Sequence, residues 1–299
     1  MNIILTTLLL LISPITTSNE LIVTHNNEEI ANVNREQFLE PFVDDPIINW
    51  TKYQAFTQEL GQIVYTEPKN AYINQQGKII SGELGYQLHE EKFTELFYAY
   101  LLNHNNDKMI EVPLLSIHPN VDSELLANIR TERIGHYLTH FNAGNKERAH
   151  NITLAAEAID SHVVFPNQTF SFNEVVGKRT KEKGYLPAPE IVKGELTEGI
   201  GGGICQVSST LFNAVDRAGV QIVERYSHSK SVPYVPKGRD ATVSWYGPDF
   251  TFENTLNQPL LIRAKVSGGQ MVINVFSSEN VDYTPREVPN AAKQLSDES

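Results

Sequence analysis

Apolar residues along this chain recur every three or four positions in some stretches and at alternate positions in others. Between residues 20 and 118 the two patterns mix. Gln37, Phe38, Leu39 and Phe42 form a short helical patch, and Tyr53, Phe56 and Leu60 place a helix over 50–60. The pairs of apolar residues around Gln75-Gln76-Gly77, in 71–74 and 78–80, predict a hairpin. Phe93, Leu96, Phe97, Tyr100 and Leu101 line one face of a helix over 90–102, and alternation over 109–117 predicts a closing strand. The unit is a small α+β module. Its carboxylates are scattered along predicted exposed faces, the pattern of plain solvation.

Residues 119–134 are polar and charged (Asp122, Glu124, Arg130, Glu132, Arg133) and read as a connector. A second domain, 135–284, follows. Ile152, Ala155, Ala156 and Ile159 give the inward face of a helix over 145–161, and Pro166-Asn167 makes a turn between two short apolar runs. The glycines and prolines of 177–203 suggest surface loops. Strands are expected over 220–226, 241–246, 250–253, 260–266 and 271–276, with Gly268-Gly269 turning between the last two. The polar stretch 285–299 reads as a disordered tail. The expected fold is α+β in two domains: the small N-terminal module, and a C-terminal domain whose cysteine-bearing helix packs against an antiparallel sheet.

Composition narrows the function. Apolar residues make up 40% of the chain and charged residues 20%, which excludes wholesale disorder. Lys and Arg total 24 against 36 Asp and Glu, a net charge of −12, and an acidic surface repels phosphate backbones; a nucleic-acid partner is not expected. Ile3–Ile12 is an uncharged apolar run too short for a stable membrane span. With the small residues Thr16-Thr17-Ser18 after it, residues 1–18 read as a signal peptide, so the protein is expected outside the cytoplasm. The single cysteine, Cys205, cannot form an intramolecular disulfide or a cysteine-cluster metal site. An unpaired thiol in an exported protein either pairs between molecules or reacts.

The candidate chemistry gathers around that cysteine. Val207, Leu211, Val215 and Ala218 recur at helical spacing after it and Gly219 supplies a C-terminal stop, so a helix runs over 205–218 with Cys205 at its N-terminus. Unpaired amides and the helix dipole favour a thiolate there. Gly201, Gly202 and Gly203 let the backbone come close to a substrate and turn amides toward it, as an oxyanion hole requires. His228 is the candidate proton acceptor and Asp240 the candidate partner that orients its ring. The plain alternatives are a packed, inert cysteine and an Asp that only caps a turn. His136 and His140 stand four apart, but no third ligand has suitable spacing; neither a metal site nor a cofactor is expected. The sequons at Asn49, Asn151 and Asn167 are short enough to arise by chance.

Several motifs in one order resemble a known family. Phe170-Ser171-Phe172-Asn173-Glu174-Val175-Val176-Gly177, Arg179-Thr180, Gly184-Tyr185, the block Gly201–Leu211, His228-Ser229 and Gly238–Val243 are similar to the VanW domain, over about 130–277. Pro166-Asn167-Gln168 stands where that family usually has Pro-Gly-Glu. The first unit resembles, through Gly82-Glu83-Leu84-Gly85-Tyr86, a peptidoglycan-binding domain that often precedes VanW domains. The resemblance implies cell-wall work on peptidoglycan stem peptides and glycan, and for some members L,D-transpeptidation through a thioester. It carries the nucleophile to Cys205 and a role to His228; Asp240 as third member is read from the residues alone. Asn173, Arg179, Gln206 and the glycines Gly201, Gly202 and Gly203 are the expected substrate contacts. The competing expectations are a non-catalytic wall-binding protein and a stem-peptide hydrolase using the same site.

Overall fold

The computed structural model describes residues 20–41, 47–102, 108–192 and 195–292. They divide into two units, each with its own core. The expected signal peptide, 1–18, lies outside the described residues.

The first unit takes in residues up to Lys69 and Leu84–His118. It opens with a hairpin that the apolar pattern did not reveal, β1 (Glu20–His25) and β2 (Glu28–Asn34). Asn26 and Asn27 turn it at φ 54° and 66°, left-handed values that asparagine tolerates best among residues with a Cβ. Helix α1 (Trp50–Val64) starts where the Asn49 side chain accepts from the Lys52 amide at 3.0 Å, and it buries Tyr53, Phe56, Leu60 and Val64. The hairpin expected over 71–80, β3 (Tyr72–Ile73) and β4 (Ile79–Ile80), forms, but it belongs to the second unit. The first unit continues with β5 (Gly85–Leu88) and α2 (Glu90–Leu101), whose Phe93 and Phe97 stack within an aromatic core that includes Phe38 and Phe56. The single closing strand expected over 109–117 is two: β6 (Met109–Glu111) runs parallel to β1, and β7 (Leu114–Ile117) pairs with β5. Pro113 between them has no amide to continue a ladder.

In the second unit, two elements replace the expected connector. Asp122 caps α3 (Ser123–Ile129) by accepting from the Leu125 amide at 2.7 Å, and β8 (Glu132–His140) follows. Ala71 and Ile73 of the hairpin pack on Leu126 and Ile129. Next come α4 (Lys146–Ile159), β9 (Val163–Val164), β10 (Thr169–Ser171) and α5 (Phe172–Val176). The turn before β10 places Asn167 at φ 63°, so an asparagine fills a left-handed position where the family resemblance has glycine. The loops expected over 177–203 contain a hairpin, β11 (Pro187–Val192) and β12 (Glu195–Ile200). The chain then forms α6 (Ile204–Arg217), β13 (Gln221–Glu224), β14 (Thr251–Glu253), β15 (Leu260–Ser267) and β16 (Gln270–Ser277). The main sheet runs β8-β16-β15-β9, all antiparallel, and α6 lies on β8 and β16 while α4 lies on β15. The α+β architecture with the cysteine-bearing helix against an antiparallel sheet is therefore the one expected.

Two further expectations fail for physical reasons. Residues 241–246 alternate like a strand, yet only Thr242 pairs, in an isolated bridge to Tyr226. The backbone there is satisfied by α6 side chains instead: Ser208 donates to the Ala241 carbonyl at 2.6 Å, and the Ala241 amide donates to Ser209 at 2.9 Å. Of the tail expected to be disordered, residues 285–292 are described and held against the domain, and 293–299 lie outside the described residues. Arg217 donates to the Val288 carbonyl at 2.6 Å, Tyr137 to the Pro289 carbonyl at 2.8 Å, and Val288 is buried.

Close approach of α6 to β8 depends on Gly135, where an added Cβ would sit 2.3 Å from the Ala214 carbonyl oxygen. Gly135→Ala is expected to destabilise this unit by about 1–3 kcal/mol, the usual cost of overpacking. The measurement is the urea midpoint, which should fall with the slope unchanged; an unmoved midpoint would contradict the contact.

Candidate active site

Helix α6 begins at Gly203, in the left-handed region at φ 107°, with no side-chain cap. Gly201 is also left-handed, at φ 92°. Each glycine of the triplet makes room for something different. A Cβ on Gly202 would meet the Ala188 carbonyl oxygen at 2.4 Å; on Gly203, the Arg148 guanidinium at 2.6 Å; on Gly201, the Arg179 stem at 3.3 Å. Fully buried Asn151 ties the loop down, donating to the Gly202 carbonyl at 3.1 Å and to the Leu186 carbonyl at 2.9 Å. The Ile204 and Gln206 amides donate to the Gly201 and Gly203 carbonyls. The Cys205 amide between them has no acceptor among the described residues, so an unpaired N–H stands beside the sulfur.

Cys205 is half-buried, with its sulfur 3.7 Å from the Thr242 hydroxyl and 3.6 Å from the Val243 carbonyl. The His228 ring lines the same cleft as the sulfur and interacts with it electrostatically. Its Nδ1 lies 2.7 Å from an Asp240 oxygen, and the His228 backbone amide donates to that same oxygen at 2.6 Å. A carboxylate only accepts, so Nδ1 carries hydrogen and Nε2 is the nitrogen left to face the sulfur. The His228 and Asp240 side chains are only 7% and 8% exposed. Arg225 fixes the turn before them, donating to the Asp240 carbonyl at 2.6 Å.

The charges in this group support one another. Burial opposes ionisation of Cys205, yet the His228 ring, the Val243 backbone and the Thr242 hydroxyl outweigh it and hold the thiol below its ordinary value. Burial likewise opposes charge on His228, but the sulfur and Asp240 raise the imidazole above its ordinary value. Asp240 is held below the usual carboxylate range, against its own burial, by the His228 amide and ring. Together these directions favour a thiolate–imidazolium pair with a carboxylate behind it.

The pair lies in a cleft of about 940 Å³, also lined by Arg148, Arg179, Tyr234 and Trp245. Gly201 and Gly203 line it, whereas Gly202 packs against β11. Two expected substrate contacts, Asn173 outside the cleft lining and Gln206 within it, are also bonded within the protein. The Asn173 amide donates to the Ser244 and Pro248 carbonyls at 3.1 and 3.2 Å, and its oxygen accepts from Arg179 at 2.7 Å. The Gln206 amide donates to Thr139 at 3.1 Å and to the His140 carbonyl at 2.9 Å, and its oxygen accepts from Arg148 at 2.8 Å. Both side chains are fully engaged inside the protein and position arginines. Arg148 was absent from the sequence candidates, although it sits one turn before Ile152 on the buried stripe of α4, where a charged residue is out of place.

His136 and His140 both lie on β8, where four residues span roughly 13 Å, too far apart to share an ion. No group of three potential ligands converges among the described residues. The sequon asparagines serve the fold: Asn49 caps α1, Asn151 is buried, and Asn167 makes a left-handed turn.

Comparison with known proteins fits this geometry. Residues 147–276 match the family model described as VanW like protein. The chain is 57% identical over 293 residues to protein YoaR of Bacillus subtilis (strain 168), covering 98% of this chain and 96% of that one. It is 28% identical over 139 residues to the vancomycin B-type resistance protein VanW of Enterococcus faecalis (strain ATCC 700802 / V583), 45% of this chain and 50% of that protein. No solved structure matches the chain.

The raised imidazole gives a checkable sign. Its contribution to stability is complete below about pH 6.5 and fades as pH rises through the higher folded value. In an NMR titration, His228 should titrate above 6.5 in the wild type and move downward in Cys205→Ala, where burial acts without the sulfur. An unchanged titration would contradict the pairing.

Proposed function

The chain belongs to the VanW-like family, and from that premise we propose that its second unit is a cysteine acyltransferase acting on peptidoglycan stem peptides, an L,D-transpeptidase. The placement of the Cys205 sulfur and the His228 ring in one cleft, with the Asp240 carboxylate bonded to Nδ1 behind the ring, carries this reading. The kinship with a vancomycin-resistance protein supports a cell-wall setting. On this reading the first unit holds peptidoglycan and the protein works outside the cytoplasm, as expected from residues 1–18.

The reaction follows from the charges. The Cys205 thiolate attacks the carbonyl of the third residue of a stem tetrapeptide, forming a C–S bond and an oxyanion to which the free Cys205 amide donates. The C–N bond to the terminal D-alanine then breaks, and the His228 imidazolium protonates the departing nitrogen. An amine from a neighbouring stem attacks the thioester and gives its proton to the neutral imidazole. The C–S bond breaks, and thiolate and imidazolium are restored. The product is a 3→3 cross-link, and Asp240 holds the ring in place throughout.

The test is incubation of the purified chain with disaccharide-tetrapeptide, followed by mass analysis of protein and soluble products. The expected result is a thioester adduct or a cross-linked dimer with released D-alanine, absent from Cys205→Ala. Tripeptide without dimer would make the protein a hydrolase. Binding to cell-wall sacculi with neither adduct nor product would make it a binding protein and remove the chemical role of Cys205.

A further inference from the structure

We propose that Arg148 and Arg179 form a clamp for a free carboxylate on the acyl donor, beside the carbonyl that Cys205 attacks. This rests on the acyl-transfer reading and names the group by which the cleft holds its donor. Charge is the first indication. The chain carries a net charge of −12, yet no Asp or Glu is among the described residues lining the cleft, while Arg148, Lys178 and Arg179 are. A cationic cleft in an acidic protein attracts and orients an anion.

The arginines themselves give the second indication. Neither guanidinium has a carboxylate within ion-pair distance among the described residues. The Arg179 Nη2 is buried and has no hydrogen-bond partner among the described residues. Leaving a buried charged donor unsatisfied is costly, and a bound anion would satisfy it. Asp249, the carboxylate nearest in influence to Arg179, already accepts from the Ser171 hydroxyl at 2.5 Å and from the Asn173 and Phe250 amides.

The third indication is that both guanidiniums are held in place. Asn173 and Gln206 each present an amide oxygen to one arginine because their NH₂ groups are committed to fixed acceptors behind. The arginines occupy the two spaces left by the missing side chains of Gly201 and Gly203, next to Cys205 in the chain. In a donor ending at its leaving residue, the carboxylate carbon is two bonds from the scissile nitrogen. An anion gripped there brings the preceding carbonyl to the sulfur, and a donor ending in a carboxamide would turn N–H groups toward the guanidiniums.

Two alkylating agents with the same reactive carbon test this on the full chain: iodoacetate, which carries a carboxylate, and iodoacetamide, which does not. Because Cys205 is the sole cysteine, mass spectrometry reads one thiol. The iodoacetate-to-iodoacetamide rate ratio should exceed that of glutathione by about tenfold and saturate with iodoacetate. Arg148→Met and Arg179→Met should each return it toward the glutathione ratio. A wild-type ratio equal to that of glutathione would overturn the clamp while leaving Cys205 a nucleophile. Failure of both reagents to label the native chain, with labelling on unfolding, would overturn the acyl-transfer reading and the clamp with it.

Discussion

Everything at this site depends on a helix that is buried on its polar side as well as on its apolar one. In α6, Val207, Leu211, Ala214 and Val215 face the core, while Ser208, Ser209, Thr210 and Asn213 are also buried. These polar groups are all hydrogen-bonded. Ser208 and Ser209 hold both backbone groups of Ala241, Asn213 donates to the Arg239 carbonyl at 2.8 Å, and the Asn213 oxygen accepts from Arg239 at 2.7 Å. The helix thus does for residues 239–241 what a neighbouring strand would otherwise do. Each such bond contributes about 1 kcal/mol net, but losing one partner would strand a buried polar group at about 1–3 kcal/mol. That asymmetry fixes the segment, and with it the position of Asp240.

Position then governs charge. One element bears the thiol at its N-terminus and, a turn further on, the side chains that place the carboxylate. His228 only has to reach between them, and Asp240 receives both its backbone amide and its ring. Asn173 and Gln206 apply the same economy on the other side of the cleft. Polar side chains with fixed acceptors behind them determine where the charged ones that face the cleft can stand. A rigid supporting layer of this kind is what keeps a reactive group within the narrow tolerance that catalysis needs.

Much of this was legible in the chain, and the failures have a common cause. The cysteine helix announced itself by strong apolar periodicity between glycines, and His228 and Asp240 by their place after it. Strand β8 was invisible because its inward residues include Gly135 and Thr139, chosen for the approach of α6 rather than for hydrophobicity. Residues 241–246 imitated a strand because alternation reports which side chains are buried, not what satisfies the backbone. Asn173 and Gln206 looked like ligand contacts because sequence gives no sign of which way an amide points. The ordered tail is polar in composition, but its hold on α6 and β8 comes largely through backbone carbonyls, which every sequence possesses.

The central claim is that His228 holds the Cys205 thiol below its ordinary pKa and so favours the thiolate. The thiolate ultraviolet absorbance, followed against pH and corrected with Cys205→Ser, reads that charge directly. The account predicts absorbance titrating below the ordinary thiol value of about 8.5, and a shift to higher pH in His228→Ala. Absorbance that appears only at or above the ordinary value, and does not move when His228 is removed, would contradict it.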